Sequence, residues 1–148
     1  MVMCNYFSAP DDGTAVGVLE QPGGPDTANF DVVSLKGIDP VVVMAQLEAI
    51  LTDSTYDEAI QRPRSGQLLS SPDAESAFIV SVSDTLQEAL ASASPGALVE
   101  TAGPWSASDE LQASGITSET AVQVLVLLSG LASRARLADR RMYCWWAL

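Results

Sequence analysis

Two arginines flank a proline in Arg62-Pro63-Arg64-Ser65-Gly66, a segment that its Pro and Gly mark as a loop. A guanidinium is a planar fork that grips a carboxylate or phosphate through two parallel hydrogen bonds. Trp105 follows Pro104 and offers an aromatic face on which a ligand or partner can stack. Arg62, Arg64 and Trp105 are therefore the candidate ligand- or partner-binding residues, with an anion as the ligand. Each also has a structural reading, to which the sequence leans. The arginines would form ion pairs in a very acidic chain, and the indole would plug a core edge with its N–H on a carbonyl.

The sequence contains no histidine. That removes the usual general base near neutral pH, the Ser-His-Asp and Cys-His nucleophile systems, and most zinc sites. Nineteen carboxylates remain, with adjacent pairs at Asp11-Asp12, Asp57-Glu58 and Asp109-Glu110. All three pairs sit near predicted helix starts, where the helix dipole selects acids, so they read as structural rather than as an acid–base couple or a magnesium site. Gly23-Gly24-Pro25 reads as a turn, because no Lys-Ser/Thr follows as a phosphate loop requires. Cys4 and Cys144 lack a Cys-x-x-Cys partner and read as buried thiols on strands. A disulfide between them is feasible only if the first and last strands are neighbours. No catalytic residue, metal site or cofactor is indicated, and the reading leans to a non-enzymatic chain.

The formal charge is −12, which disfavours binding to nucleic-acid phosphates. Arg134, Arg136, Arg140 and Arg141 gather near one end, where they complement the C-terminus of a helix or mark a partner surface. The longest apolar stretch, residues 121–132, contains Gln123, Ser129 and Gly130 and reads as too short for a bilayer. With no basic-then-apolar leader at the N-terminus, the expectation is a cytoplasmic protein without a membrane partner.

The elements that must position these residues are legible from caps and periodicity. At 148 residues the chain fits one domain with a real core. Residues 2–7 read as a strand, with Ser8 as cap of a short helix reaching Glu20, and residues 30–36 read as a second strand. Asp39 and Pro40 open a helix carrying Val42, Val43, Leu47, Ile50 and Leu51 on one face. Thr55 and Glu58 form a capping box for a short helix ending near Arg62. Residues 77–82 are a third strand, followed by a second capping box at Asp84 and Gln87. Pro95 starts a helix that Pro104-Trp105-Ser106 should break, and a helical turn lies around residues 109–111. Thr117 caps the longest helix, to about Asp139, with an apolar first half that reads as buried. The tail Met142-Tyr143-Cys144-Trp145-Trp146-Ala147-Leu148 reads as a closing strand with alternate residues on the two faces, so that the chain is complete at this end and folds only when finished. The fold expected is α+β: a single domain, residues 1–148, with a roughly four-stranded mixed sheet packed with helices.

Five segments, Met3-Cys4-Asn5-Tyr6-Phe7, Phe30-Asp31 leading to Lys36-Gly37-Ile38-Asp39-Pro40, Arg62-Pro63-Arg64-Ser65-Gly66, Pro104-Trp105 and Tyr143-Cys144-Trp145, are spread over almost the whole chain. Through them it resembles a group of small uncharacterised actinobacterial proteins. The order of elements also looks, more loosely, like that of the YfbM-like bacterial proteins of unknown function, in which a tryptophan after a proline-containing break precedes a long apolar helix and a closing strand. The resemblance implies a single α/β-type domain and carries no catalytic motif. The leading functional expectation is a non-enzymatic, acidic interaction protein, immunity- or antitoxin-like, that binds a protein partner with a basic surface. The alternative is a small-anion binder or enzyme using Arg62 and Arg64 beside Trp105, and a third possibility is a homodimer formed through an exposed apolar patch.

Overall fold

A computed structural model describes residues 3–148, so the part of the first expected strand that falls on Val2 lies outside the described residues. Among the described residues, four strands and seven α-helices form one α+β unit, with a long C-terminal helix followed by a closing strand. The strands are β1 (Met3–Ala9), β2 (Val32–Lys36), β3 (Ala77–Ser81) and β4 (Arg141–Ala147), in the spatial order β2-β1-β4-β3. Every pairing is antiparallel, where a mixed sheet was expected. The reason is the placement of β4. β1 and β3 run the same way and would be parallel neighbours, but β4 enters between them in the opposite direction.

Period-two alternation along β4 builds both cores. Met142 and Cys144 face a layer of helices: α2 (Val42–Leu51), α4 (Asp84–Ser92), α5 (Pro95–Ser106) and α7 (Ser118–Leu137). Tyr143 and Trp145 face the opposite side, where Phe7, Ile79, Phe30 and the segment α1 (Asp12–Gly17) with its following 3-10 turn form a smaller cluster. The closing-strand reading of the tail is thus what the structure shows, including the alternation. Cys4 and Cys144 are buried free thiols on the neighbouring strands β1 and β4, both on the helix-covered face. Burial pushes the Cys144 thiol well up, while a hydrogen bond from its neighbour lowers Cys4.

Several helix boundaries differ from the sequence reading, each for a local reason. Ser8 is not a cap: β1 runs on to Ala9 because Ser8 and Ala9 still pair with Met142 and Arg141, and Asp11 caps α1 instead. α2 begins at Val42 with Val41 at the cap position rather than at Pro40, but Asp39 does satisfy the free N–H groups of its start, its Oδ1 accepting from Val41, Val42 and Val43. The Thr55–Glu58 capping box opens α3 (Tyr56–Ile60) as expected. α4 is capped by Ser83 rather than Asp84, and Gln87 turns away to bond the start of β4. Pro104 does not break α5, which runs on to Ser106; so near the C-terminal end the proline forfeits one i→i−4 bond, to the carbonyl of the exposed Glu100, and only two helical residues follow it. α6 (Asp109–Ala113) follows. α7 has the length and composition of a membrane span, yet Ala121, Val124, Leu125, Leu128, Leu131, Ala132 and Ala135 are already buried within the fold.

The Gly23-Gly24 turn closes over the smaller cluster. Gly24 has φ +86°, and a Cβ there would lie 2.6 Å from Cδ2 of the Trp145 indole. Only glycine allows both the left-handed backbone and this approach. Gly24→Ala should therefore cost about 1–3 kcal/mol, measured by urea unfolding; an unchanged midpoint would show that the ring is free to move. Deleting residues 144–148 should abolish the cooperative thermal transition, because β1 and β3 then lose their shared neighbour. A truncated protein that melts as sharply as the full chain would refute that role for β4.

Candidate functional site

The loop carrying the two arginines is pinned to the sheet before their side chains engage anything. Ser81 at the end of β3 donates its hydroxyl to the Arg64 carbonyl at 2.6 Å, and Arg64 adopts a left-handed φ of +69°. That conformation costs an L-residue roughly 1–2 kcal/mol. It aims the Arg64 guanidinium at Asp12, with Nη1 donating to Oδ2 at 3.1 Å and Nη2 to Oδ1 at 2.9 Å. The Tyr143 hydroxyl donates to the same Oδ1 at 2.7 Å, and the guanidinium carbon lies 5.7 Å from the centre of the Tyr143 ring. Arg64 Nε is 3.8 Å from Asp84 Oδ1, and Arg141 Nε is 3.3 Å from that same oxygen. A continuous polar chain, Tyr143–Asp12–Arg64–Asp84–Arg141, thereby ties α1, the arginine loop, α4 and β4 together.

The electrostatics of this chain lock its protonation states. The Arg64 fork, then the Tyr143 hydroxyl, hold the Asp12 carboxyl below its ordinary range. Burial, then the Asp12 carboxylate, push Tyr143 up to about 12. Asp12 is thus ionised and Tyr143 protonated across the neutral range, which gives neither a general base nor an activated nucleophile there.

Arg62 is used differently. Its Nη1 donates to Glu48 Oε2 at 2.7 Å and to Thr52 Oγ1 at 3.0 Å. Glu48 is 1% exposed and its other oxygen accepts the Ser83 hydroxyl, the same group that caps α4. Trp105 is fully buried, with Nε1 donating to the Val43 carbonyl of α2 at 3.1 Å. The three candidate residues therefore do not assemble an anion pocket: both arginines hold carboxylates of separate elements, and Trp105 presents no open face. Their structural readings are the ones realised. Sequence reasoning missed Asp12 and Tyr143 because their partners lie far along the chain. Asp12 carried only the signature of a helix start, and Tyr143 only that of a strand.

Charge is distributed by element. α2, α3, α5 and α6 contain no Lys or Arg. α2 packs against α3 and α5, and α5 against α6. Gln46 Nε2 donates to Glu110 Oε2 at 2.8 Å and joins α2 to α6. Around this group Asp53, Asp57, Glu58, Glu100 and Asp109 are exposed. Meanwhile Arg62, Arg64, Arg134, Arg136 and Arg141 are all in ion pairs. Among the described residues no three His, Cys, Asp or Glu side chains converge as a metal-ligand set. No family model matches the chain, and no curated protein or solved structure is similar enough to align with it; the resemblance to the actinobacterial and YfbM-like proteins gains no support from these comparisons.

The polar chain predicts a specific pH response. Asp12 is depressed in the folded state, so its contribution is present above the unfolded carboxyl value of about 3.9 and is lost as pH falls through the folded value. Tyr143 is raised, so its contribution is present below about 10 and is lost as pH climbs towards its folded value. Asp12→Asn should lower the melting temperature at neutral pH and remove part of its fall in acid. It should also bring the Tyr143 titration, followed by tyrosinate absorbance, down towards the ordinary range. Superimposable melting and absorbance profiles in the two proteins would disprove the coupling.

Proposed function

We propose that this is a non-enzymatic interaction protein, immunity- or antitoxin-like, that binds a protein partner with a basic surface through the α2–α3–α5–α6 face. The observation that carries the reading is the segregation of charge. The exposed carboxylates Asp53, Asp57, Glu58, Glu100 and Asp109 lie on or beside four packed helices that contain no Lys or Arg, while five of the six arginines are spent on ion pairs within the chain. Such a surface raises the local concentration of a basic partner and speeds encounter, with strong salt dependence. Two neighbouring free thiols suit a reducing compartment, which supports a cytoplasmic setting. No nucleic-acid or membrane partner is proposed.

A homodimer is a second reading, favoured by one observation: Val126 and Leu127, on the solvent side of α7, are 53% and 50% exposed. Light scattering separates the two readings, since a protein that stays monomeric at high concentration excludes a homodimer.

For the leading reading, the purified protein is used as bait against lysate of its own source at low and at moderate salt. A basic protein should be recovered in stoichiometric amount, more strongly at low salt, and Asp57→Lys with Asp109→Lys should lose it. Recovery of nothing stoichiometric at either salt, or equal recovery by the charge-reversed variant, would remove the proposal.

A further inference from the structure

At the other functional end of the sequence, the turn from α7 into β4 borders an open cleft of about 570 Å³. Asp139, Arg140 and Arg141 line it from that turn, and Asp11 and Asp12 line it from the turn between β1 and α1. The volume lies within the range of small-molecule sites.

The backbone at Arg140 is held unusually firmly for a turn. Its N–H donates to the Ala135 carbonyl at 2.8 Å, and its carbonyl accepts from Gln87 Nε2 at 2.9 Å. The next N–H, that of Met142, donates to Gln87 Oε1 at 3.1 Å. Asp139 takes a left-handed φ of +55° to make this corner. The side chain carried by this backbone is left idle. Among the described residues, the Arg140 guanidinium has no carboxylate within 4.0 Å and donates no hydrogen bond. In a protein with nineteen carboxylates, an unpaired arginine on a hydrogen-bonded backbone at the edge of a cleft is the feature that calls for a ligand.

The charges around it say which ligand. Asp12 is already neutralised by the Arg64 fork. Asp11 spends Oδ1 on the Thr14 N–H at 2.7 Å and keeps Oδ2 available, and Asp139 makes no ion pair among the described residues. One unpaired guanidinium, Arg140, thus shares the cleft with two available carboxylates, while Arg141 is engaged by Asp84. A phosphate would satisfy Arg140 and be repelled by both carboxylates and by the −12 field. A cation would meet the reverse conflict locally. A small zwitterion satisfies both signs and, having no net charge, is not excluded by the field. We infer that this cleft binds a free α-amino acid, its carboxylate on Arg140 and its ammonium on Asp139 and Asp11. The site is separate from the acidic helical face, and the inference stands whether or not that face binds a protein.

The test is calorimetric titration of the full chain with each standard L-amino acid, and, for any that bind, with the N-acetyl and carboxamide derivatives that delete one charge each. At least one amino acid should bind saturably with Kd of ~1 mM or tighter, and either derivative should weaken it by about tenfold or more. Arg140→Gln should weaken it similarly while melting as the wild type does, because only the backbone of Arg140 is used by the fold. Asp139→Asn and Asp11→Asn give the second readout, since Asn tolerates a left-handed φ and remains a good N-cap. Absence of saturable binding by any amino acid up to ~10 mM overturns the inference. So does affinity unchanged in both Arg140→Gln and the Asn variants, or tighter binding of plain phosphate or acetate than of any amino acid.

Discussion

Everything in this fold leans on β4, because it is the shared neighbour of two strands that are otherwise far apart in the chain. β1 on one side and β3 on the other are aligned by it, and its alternate residues reach into both cores. An antiparallel sheet with a strand inserted at its centre has its register set from both edges of that strand. A one-residue slip would exchange Cys144 for Tyr143 and move a phenol into the helix-packed core. Gln87 guards against this at the entry, where its side-chain amide bonds the backbone on both sides of Arg141.

The arginines brace this arrangement more than they decorate it. Arg62 closes a buried carboxylate, Glu48, which also takes the Ser83 hydroxyl. One oxygen pair thus connects α2, the loop after α3 and the cap of α4. Arg64 does the equivalent on the far face through Asp12 and Tyr143. Glu48 is the buried charge of the two pairs, so removing Arg62 would strand it without a counter-ion. The fork is a reason for arginine at position 64, where two nitrogens hold the two Asp12 oxygens at once.

Local physics was readable in the sequence, and distant pairing was not. The Thr55–Glu58 box, the Asp39 cap, the α+β class and the alternating tail all depend on residues within a few positions of each other, and all are present. Where two neighbours competed for one role, as with Ser83 and Asp84, local rules could not choose. The choice was made by Glu48 and Arg140, which occupy Ser83 and Gln87 from elsewhere in the fold. Pro104 shows a different limit: a proline two residues from the end of a helix forfeits one backbone bond and leaves almost no helix beyond it to disrupt. For Arg62, Arg64 and Trp105 the residue types were informative about chemistry, but the partners that consume that chemistry lie outside any sequence window. Arg140, by contrast, looked like an ordinary helix-end cation, and only the three-dimensional absence of a partner distinguishes it.

The central position of the last strand also sets a clock. β1 can pair with β2 early, but its other edge, and the whole inner edge of β3, wait for residues separated from β1 by nearly the entire chain. Bringing such remote segments together carries a loop-closure cost of about 4 kcal/mol before any contact compensates for it, and topologies dominated by remote pairings fold slowly. During that interval the apolar side of α7 and the open edges of β1 and β3 are unprotected, which is the interval in which a chain aggregates. The net charge of −12 then serves a second purpose, keeping half-folded copies apart while β4 finds its place.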